Sequence, residues 1–278
     1  MKTMMKMACA ASALLTIGAL AYAQKAPAGA GTAMSIDTIL AGDWRSDKNK
    51  ARDQYRHPQQ TLRFFGVKPK QTLIEITPGG GWYTEILAPL LKDHGHYIAA
   101  IIQPKKSAGE AVRDKSSLRA RIEGDAAHFG GAQVVEFDAK APVLGPPDSA
   151  DIVLTFRNAH NWTDAGTADA MFKAMFDVLK PGGTLGVVDH RAKAGADPEK
   201  IKDTGYLTEK QIITLATSVG FKLAGKSEIN ANPKDTKDHP KGVWTLPPTF
   251  ALKDVDHAKY AAIGESDRMT LKFAKPAK

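Results

Sequence analysis

Two histidines stand where a proton could be moved: His160 follows the apolar run Asp151–Phe156, and His190 follows Thr184–Val188. An imidazole titrates near neutral pH, so either can act as a general base once a strand end holds it against a reacting group. Asn158 and Asn161 flank His160 and carry amides able to orient a substrate carboxylate or amide. Asn158 joins the two histidines as a candidate catalytic residue. Each has a structural competitor, namely a histidine bonded to backbone or an asparagine capping a turn. Arg157, Arg191 and Arg268 offer planar, permanently charged donors suited to an anionic substrate. Trp162 can stack on a substrate or fill core. Arg56 and His57, with Arg52 and Asp53, share one helical face, as the cover of a pocket would present them. For the other charges between Arg45 and His57 a solvated, ion-paired face is the expectation, and the same holds for the turn Glu265–Arg268. No H-x-x-x-H spacing links His57, His160 and His190, so no metal site is expected.

These residues need a frame, and the stretch Gln71–Tyr83 (QTLIEITPGGGWY) supplies its centre. A short apolar run containing Glu75 ends at Thr77-Pro78 and three glycines, Gly79, Gly80 and Gly81, before a helical pattern resumes. That order reads as strand, tight turn, helix. Glycine lets a ligand approach the main chain with no Cβ in the way, and the helix start points unpaired N–H groups at it. An ordinary β–α turn is the competing reading.

Further strands are expected at Tyr97–Ile102, Gln133–Phe137, Asp151–Phe156, Thr184–Val188, Phe221–Ser227 and Met269–Phe273. Helices are expected between them. Pro58 should end one helix and begin another, and Pro89 should kink the helix after the glycines. Val112–Arg121 reads as a modest helix and Thr163 as an N-cap. Met171, Ala174, Met175, Val178 and Leu179 form a core-facing stripe, and Thr208 with Gln211 makes a capping box. Alternating strands and helices predict an α/β fold with a mostly parallel sheet. Ligands of such sheets bind beyond the carboxyl ends of the strands. Those ends are Thr77–Gly81, Gln103, Asp138, Arg157–Trp162 and Asp189–Arg191, and every one carries polar groups or glycine.

The chain has 278 residues, 43% hydrophobic and 24% charged, the profile of a globular protein. Lys2 and Lys6, the apolar Ala8–Ala21 and the Ala21-Tyr22-Ala23 site predict a signal peptide over residues 1–23, and so a periplasmic or secreted protein. A flexible linker is expected over 24–36 and one domain over 37–278, with 37–66 as its helical lid. Cleavage would remove the only cysteine, Cys9, leaving no thiol chemistry and no long apolar span in the mature chain. The net charge of +8 is scattered and lacks aromatic–basic interleaving, so no nucleic-acid partner is expected.

With these residues laid out, the chain resembles class I S-adenosylmethionine-dependent methyltransferases from about Arg63 to Phe273. Glu75-Ile76-Thr77-Pro78-Gly79-Gly80-Gly81 is similar to their first motif, with Thr77 in place of its first glycine. Leu179–Leu185 is similar to their junction into the fifth strand, and Val219-Gly220-Phe221 to a late strand start. PGGGW, FRNAHNW, NPKDT and GESDRMTL, together with the leader, look like a signal-peptide-bearing subfamily of predicted methyltransferases. The resemblance implies a Rossmann-like fold: seven strands, mostly parallel, helices on both faces and the last strand antiparallel. It implies S-adenosylmethionine as cofactor, with Gly79 and Gly81 under its methionine and ribose and Glu75 orienting the turn or the amino group. Asp138 would lie at the adenine and Phe156, Arg157 and Asn158 near the methyl donor, while Gln103 takes a position the family usually gives to an acid. Arg56, His57, Asn161, Trp162, Arg191 and Arg268 are left to a small or peptidic acceptor. The alternative is a periplasmic binding or scaffold protein that kept the fold without the cofactor.

Overall fold

The computed structural model describes residues 33–103 and 118–277. The expected signal peptide, most of the linker and the start of the helix expected at Val112–Arg121 lie outside the described residues. Seven strands form one sheet: β1 (Thr72–Ile76), β2 (His96–Ile102), β3 (Gln133–Phe137), β4 (Ala150–Phe156), β5 (Leu179–His190), β6 (Lys222–Ser227) and β7 (Arg268–Ala274). Their order is β3-β2-β1-β4-β5-β7-β6. β1 to β5 pair in parallel, and β7 runs antiparallel between β5 and β6. The expected Rossmann-like, mostly parallel sheet is therefore present.

Side-chain alternation along the strands divides the core in two. Ile74, Ile76, Val153, Leu185 and Val187 face one layer, while Leu73, Ile152, Leu154 and Val188 face the other. The first layer is covered by α8 (Ala159–Asp164), α9 (Ala168–Val178) and α11 (Glu209–Ser218). Met171, Ala174, Met175 and Val178 of α9 are buried there, as their spacing requires. The second layer is covered by α5 (Thr84–Leu91), α6 (Leu118–Gly124), α7 (Ala126–Phe129) and the amino-terminal helices α1 (Ile36–Ala41) and α4 (Pro58–Phe65), with the short α2 (Asp47–Lys50) and α3 (Asp53–Arg56) between those two in the chain. Short helices α10 (Pro198–Ile201) and α12 (His257–Ile263) decorate the loops before β6 and β7. A Cβ at Gly186 would stand 2.5 Å from Leu154 and 2.8 Å from Phe65, so glycine on β5 is what lets α4 lie flat on the sheet.

Pro58 opens α4 as its first residue, and Thr208 and Gln211 form the capping box of α11. Thr163 departs from expectation. It lies inside α8, where its hydroxyl donates to the Ala159 carbonyl, and Thr167 takes the N-cap position of α9. The charges of the amino-terminal segment depart further, because Arg45 is 1% and Arg56 5% exposed. Arg45 donates to both carboxylate oxygens of Asp53, at 2.8 and 2.7 Å, and faces buried Glu85.

Antiparallel β7 has a consequence for chemistry. It starts at the edge where β1, β4 and β5 end, so Arg268 is in register with His190. Glu265, Ser266 and Asp267 just before it are buried at that edge.

Pro89 cannot donate to the Glu85 carbonyl inside α5. The Trp44 indole N–H takes its place at 2.9 Å and pins the amino-terminal segment to that helix. We expect Trp44→Phe to destabilise the protein in urea unfolding by about 1 kcal/mol, the usual worth of such a bond. In a Pro89→Ala background the loss should shrink, because an alanine N–H restores the helical donor; an equal loss in both backgrounds would contradict this account.

Candidate active site

At the end of β1 the chain turns through Thr77 (φ 49°), Gly79 (φ 58°) and Gly81 (φ 80°). Thr77 is a β-branched residue in the left-handed region, a costly conformation that surrounding contacts must enforce. Its N–H donates to the Ala100 carbonyl of β2, at 2.8 Å, and the Asn158 amide donates to the carbonyls of Ile76 (3.0 Å) and Thr77 (3.3 Å). The Thr77 hydroxyl is buried with no hydrogen-bond partner among the described residues. A Cβ on Gly79 or Gly80 would meet nothing within 4 Å. These two glycines line a cavity of about 250 Å³ with Thr77, Pro78, Glu75, Trp82, Tyr83, Phe156, Arg157 and Asn158, and with Asn49, Arg52 and Arg56 from the amino-terminal helices.

The aromatic wall is held by stacking and a hydrogen bond. Tyr83 stacks on Phe156 with ring centres 3.6 Å apart, the Arg56 guanidinium lies 4.6 Å over Trp82, and the Trp82 indole N–H donates to the Asn49 carbonyl at 2.9 Å. Arg157 is itself in the left-handed region (φ 63°) at the end of β4. The cationic wall centres on Glu265, which accepts from Arg52 Nε (2.5 Å) and Arg268 Nη2 (2.6 Å) and lies 3.5 Å from Arg56 Nε. Burial alone would raise the Glu265 pKa, but Arg268, Arg56 and Arg52 hold it down to about 2. Burial lowers Arg56 to about 9 and Arg157 to about 10, aided by the neighbouring arginines. Both guanidiniums remain protonated at neutral pH.

Beside this wall, Asp189 is fully buried and joins the two histidines. His160 Nδ1 donates to Asp189 Oδ1 at 2.8 Å, which leaves its Nε2 as the basic nitrogen. His190 differs. Arg157 Nε can only donate, so His190 Nε2 accepts from it at 3.3 Å, and Nδ1 bonds to the Ser266 hydroxyl. Burial and the Arg157 charge push the His190 pKa well below its ordinary value, keeping the ring neutral. Donor atoms of His160, Asp189 and His190 lie within 4.8 Å of one another, a clustering that chain spacing did not show. Asp189 holds His160 Nδ1, while Arg157 and Ser266 occupy the two ring nitrogens of His190.

Of the residues expected from sequence, Glu75, Thr77, Gly79, Gly80, Phe156, Arg157, Asn158 and Arg56 line the cavity. Gly81 is buried beneath the turn, and His160, His190 and Arg268 form a layer behind the lining. Six do not join them. Trp162 is 3% exposed in the core, Asn161 is exposed on α8, and Gln103 and Asp138 are exposed beyond β2 and β3. Arg191 is held by Asp267, Glu228 and Glu209, and His57 is the left-handed residue (φ 41°) joining α3 to α4. Asn49, Tyr83, Asp189 and Glu265 escaped sequence reasoning as site residues. The spacing of Arg52 and Arg56 was the one hint that their segment faces a site. A larger cavity of about 560 Å³ lies against α9 and α11, but none of its lining residues carries an unpartnered buried polar atom.

No protein-family model and no curated protein matches the chain. Solved structures do. A SAM-dependent methyltransferase from Aquifex aeolicus aligns with a TM-score of 0.53 and 14% identity over 87% of this chain and 99% of that one. The [4+2]-cyclase SpnF aligns with a TM-score of 0.56 and 17% identity over 85% of each chain. A SAM-dependent methyltransferase from Methanosarcina mazei gives 0.50 and 18% over 78% of this chain and 97% of its own. At such identities the likeness is one of fold: the chain has the class I methyltransferase fold, which also houses a cyclase.

Glu75, 2% exposed, accepts from the Tyr97 and Thr84 hydroxyls, yet burial still raises its pKa from 4.5 to about 7. Between those values the folded chain keeps a proton that the unfolded chain has released. The resulting stability is complete below pH 4.5 and is lost as pH rises through about 7. We therefore expect the melting temperature of the wild type to fall relative to Glu75→Gln as pH is raised from about 5 to about 8. Parallel curves would contradict a raised pKa.

Proposed function

We propose that this protein is an exported S-adenosylmethionine-dependent methyltransferase acting on a small or peptidic acceptor. The observation that carries this reading is the turn after β1. Gly79 and Gly80 leave an open cradle where a side chain would stand, and the unpartnered Thr77 hydroxyl sits at its edge. No carbonyl or side chain among the described residues accepts from the N–H groups of Gly79 and Gly80. Such a loop fits a ligand carrying a carboxylate and hydroxyl groups, and S-adenosylmethionine has both. The fold of the aligned methyltransferases adds to the case without deciding it.

When bound, the cofactor supplies an electrophilic methyl group on a sulfonium. The chain's own part is alignment and proton handling, since displacement needs donor and nucleophile in line. Tyr83 and Phe156 wall the cavity and exclude water, and Asn158 fixes the turn rather than touching the acceptor. His160, held by Asp189 behind the lining, is the residue suited to receive a proton relayed from the cavity, through Nε2. A protein that kept the fold without the cofactor is the second reading; the neutral, exposed Gln103 at the end of β2 favours it.

Calorimetric titration of the full chain with S-adenosylhomocysteine separates the two. We expect binding in the micromolar range, lost in Gly80→Val while the melting temperature is retained, because the new side chain enters open space. No heat at millimolar ligand, or unchanged binding in the variant, would overturn the assignment.

A further inference from the structure

The cavity holds more positive charge than its own carboxylates or the proposed cofactor can neutralise. Arg52, Arg56, Arg157 and Arg268 stand together, with only Glu265 hydrogen-bonded among them. The other nearby carboxylates among the described residues are Asp189, buried beside the histidines, and Glu75, whose raised pKa leaves it part-protonated near neutral pH. Among the described residues, four guanidiniums thus face at most three negative charges. Burying an uncompensated charge is costly, and proteins retain one where a ligand completes it.

Hydrogen bonding tells the same story. Arg56 is 5% exposed; its Nε lies 3.5 Å from Glu265 without a hydrogen bond, and a buried Nη of Arg52 has no hydrogen-bond partner among the described residues. Among the described residues the Arg157 side chain makes one hydrogen bond, to His190. These guanidiniums border the cavity with donors to spare.

S-adenosylmethionine does not fill this need. Its carboxylate is outweighed by its ammonium and its sulfonium, so it enters with a net positive charge. From this surplus we infer that the methyl acceptor is an anion, carrying a carboxylate or a phosphate that Arg52, Arg56 and Arg157 grip while Arg268 and Glu265 brace them from behind. Planar guanidiniums match either group by paired N–H···O bonds. The inference rests on the methyltransferase reading for the word acceptor, while the anion site itself stands on the arginines.

The test is calorimetry on the full chain with succinate and with inorganic phosphate, each with and without saturating S-adenosylhomocysteine. One of the two probes should bind in both states and identify the class. Arg56→Gln and Arg157→Gln should each weaken it by at least about tenfold, the scale of a charge-assisted hydrogen bond, and change S-adenosylhomocysteine affinity by less than about threefold. Arg157→Gln should lower the melting temperature without anion little, since it removes like-charge repulsion and takes no partner from Glu265; Arg56→Gln removes one partner of Glu265 and should lower it, and Arg52→Gln, at a more exposed residue, serves if it fails to fold. No binding of either probe, or binding unchanged in the variants, overturns the proposal. Anion binding abolished by S-adenosylhomocysteine also overturns it, because the arginines would then hold the cofactor's own carboxylate. Anion binding with no S-adenosylhomocysteine binding would instead sink the methyltransferase reading and leave the anion site standing.

Discussion

One buried carboxylate, Glu265, makes the site possible. Three guanidiniums from the two ends of the fold meet on it: Arg52 and Arg56 from the first helices, and Arg268 from the last strand. Without that counter-charge the amino-terminal segment could not lay two arginines against the strand ends, for like charges at such distances repel strongly in a poorly solvated setting. Removing one partner from such a buried cluster typically costs about 3–5 kcal/mol. The same contact that closes the fold, first helices to last strand, therefore also builds the cationic wall of the cavity.

The sheet decides what can meet there. Parallel β1, β4 and β5 deliver Thr77, Arg157 and His190 to one edge, and antiparallel β7 brings Glu265 and Arg268 to the same edge from the other direction. Two of these positions, Thr77 and Arg157, hold left-handed backbone that neither residue type favours. Strain of this kind persists where surrounding structure enforces it, and it is concentrated at functional sites. Here Asn158 and the β2 carbonyl of Ala100 do the enforcing. A preformed, strained turn can present its N–H groups without reorganising when a ligand arrives.

Much of the frame was legible in the sequence because strands and helices leave periodic apolar patterns. The strands at Gln133–Phe137 and Asp151–Phe156, the stripe of α9 and the capping box at Thr208 are local signals, and each is found where expected. The glycine turn was legible for the same reason. What local pattern could not show is which charges are buried. Arg45 and Arg56 sit in a segment whose composition reads as a solvated surface, and their burial depends on Asp53, Glu85, Trp82 and Glu265. The pairing of His160 with Asp189, 29 residues apart, belongs to the same class, and so does the loss of Arg191 to three carboxylates.

The fold alone leaves the chemistry open, since it is shared with a cyclase as well as with methyltransferases. The most direct test of the central claim is a crystal structure of the protein with S-adenosylhomocysteine. The expected result is the amino-acid end of the ligand over Gly79 and Gly80, with the Thr77 hydroxyl hydrogen-bonded to it. Ligand bound instead in the cavity against α9 and α11, or an empty β1 turn at saturating concentration, would contradict it.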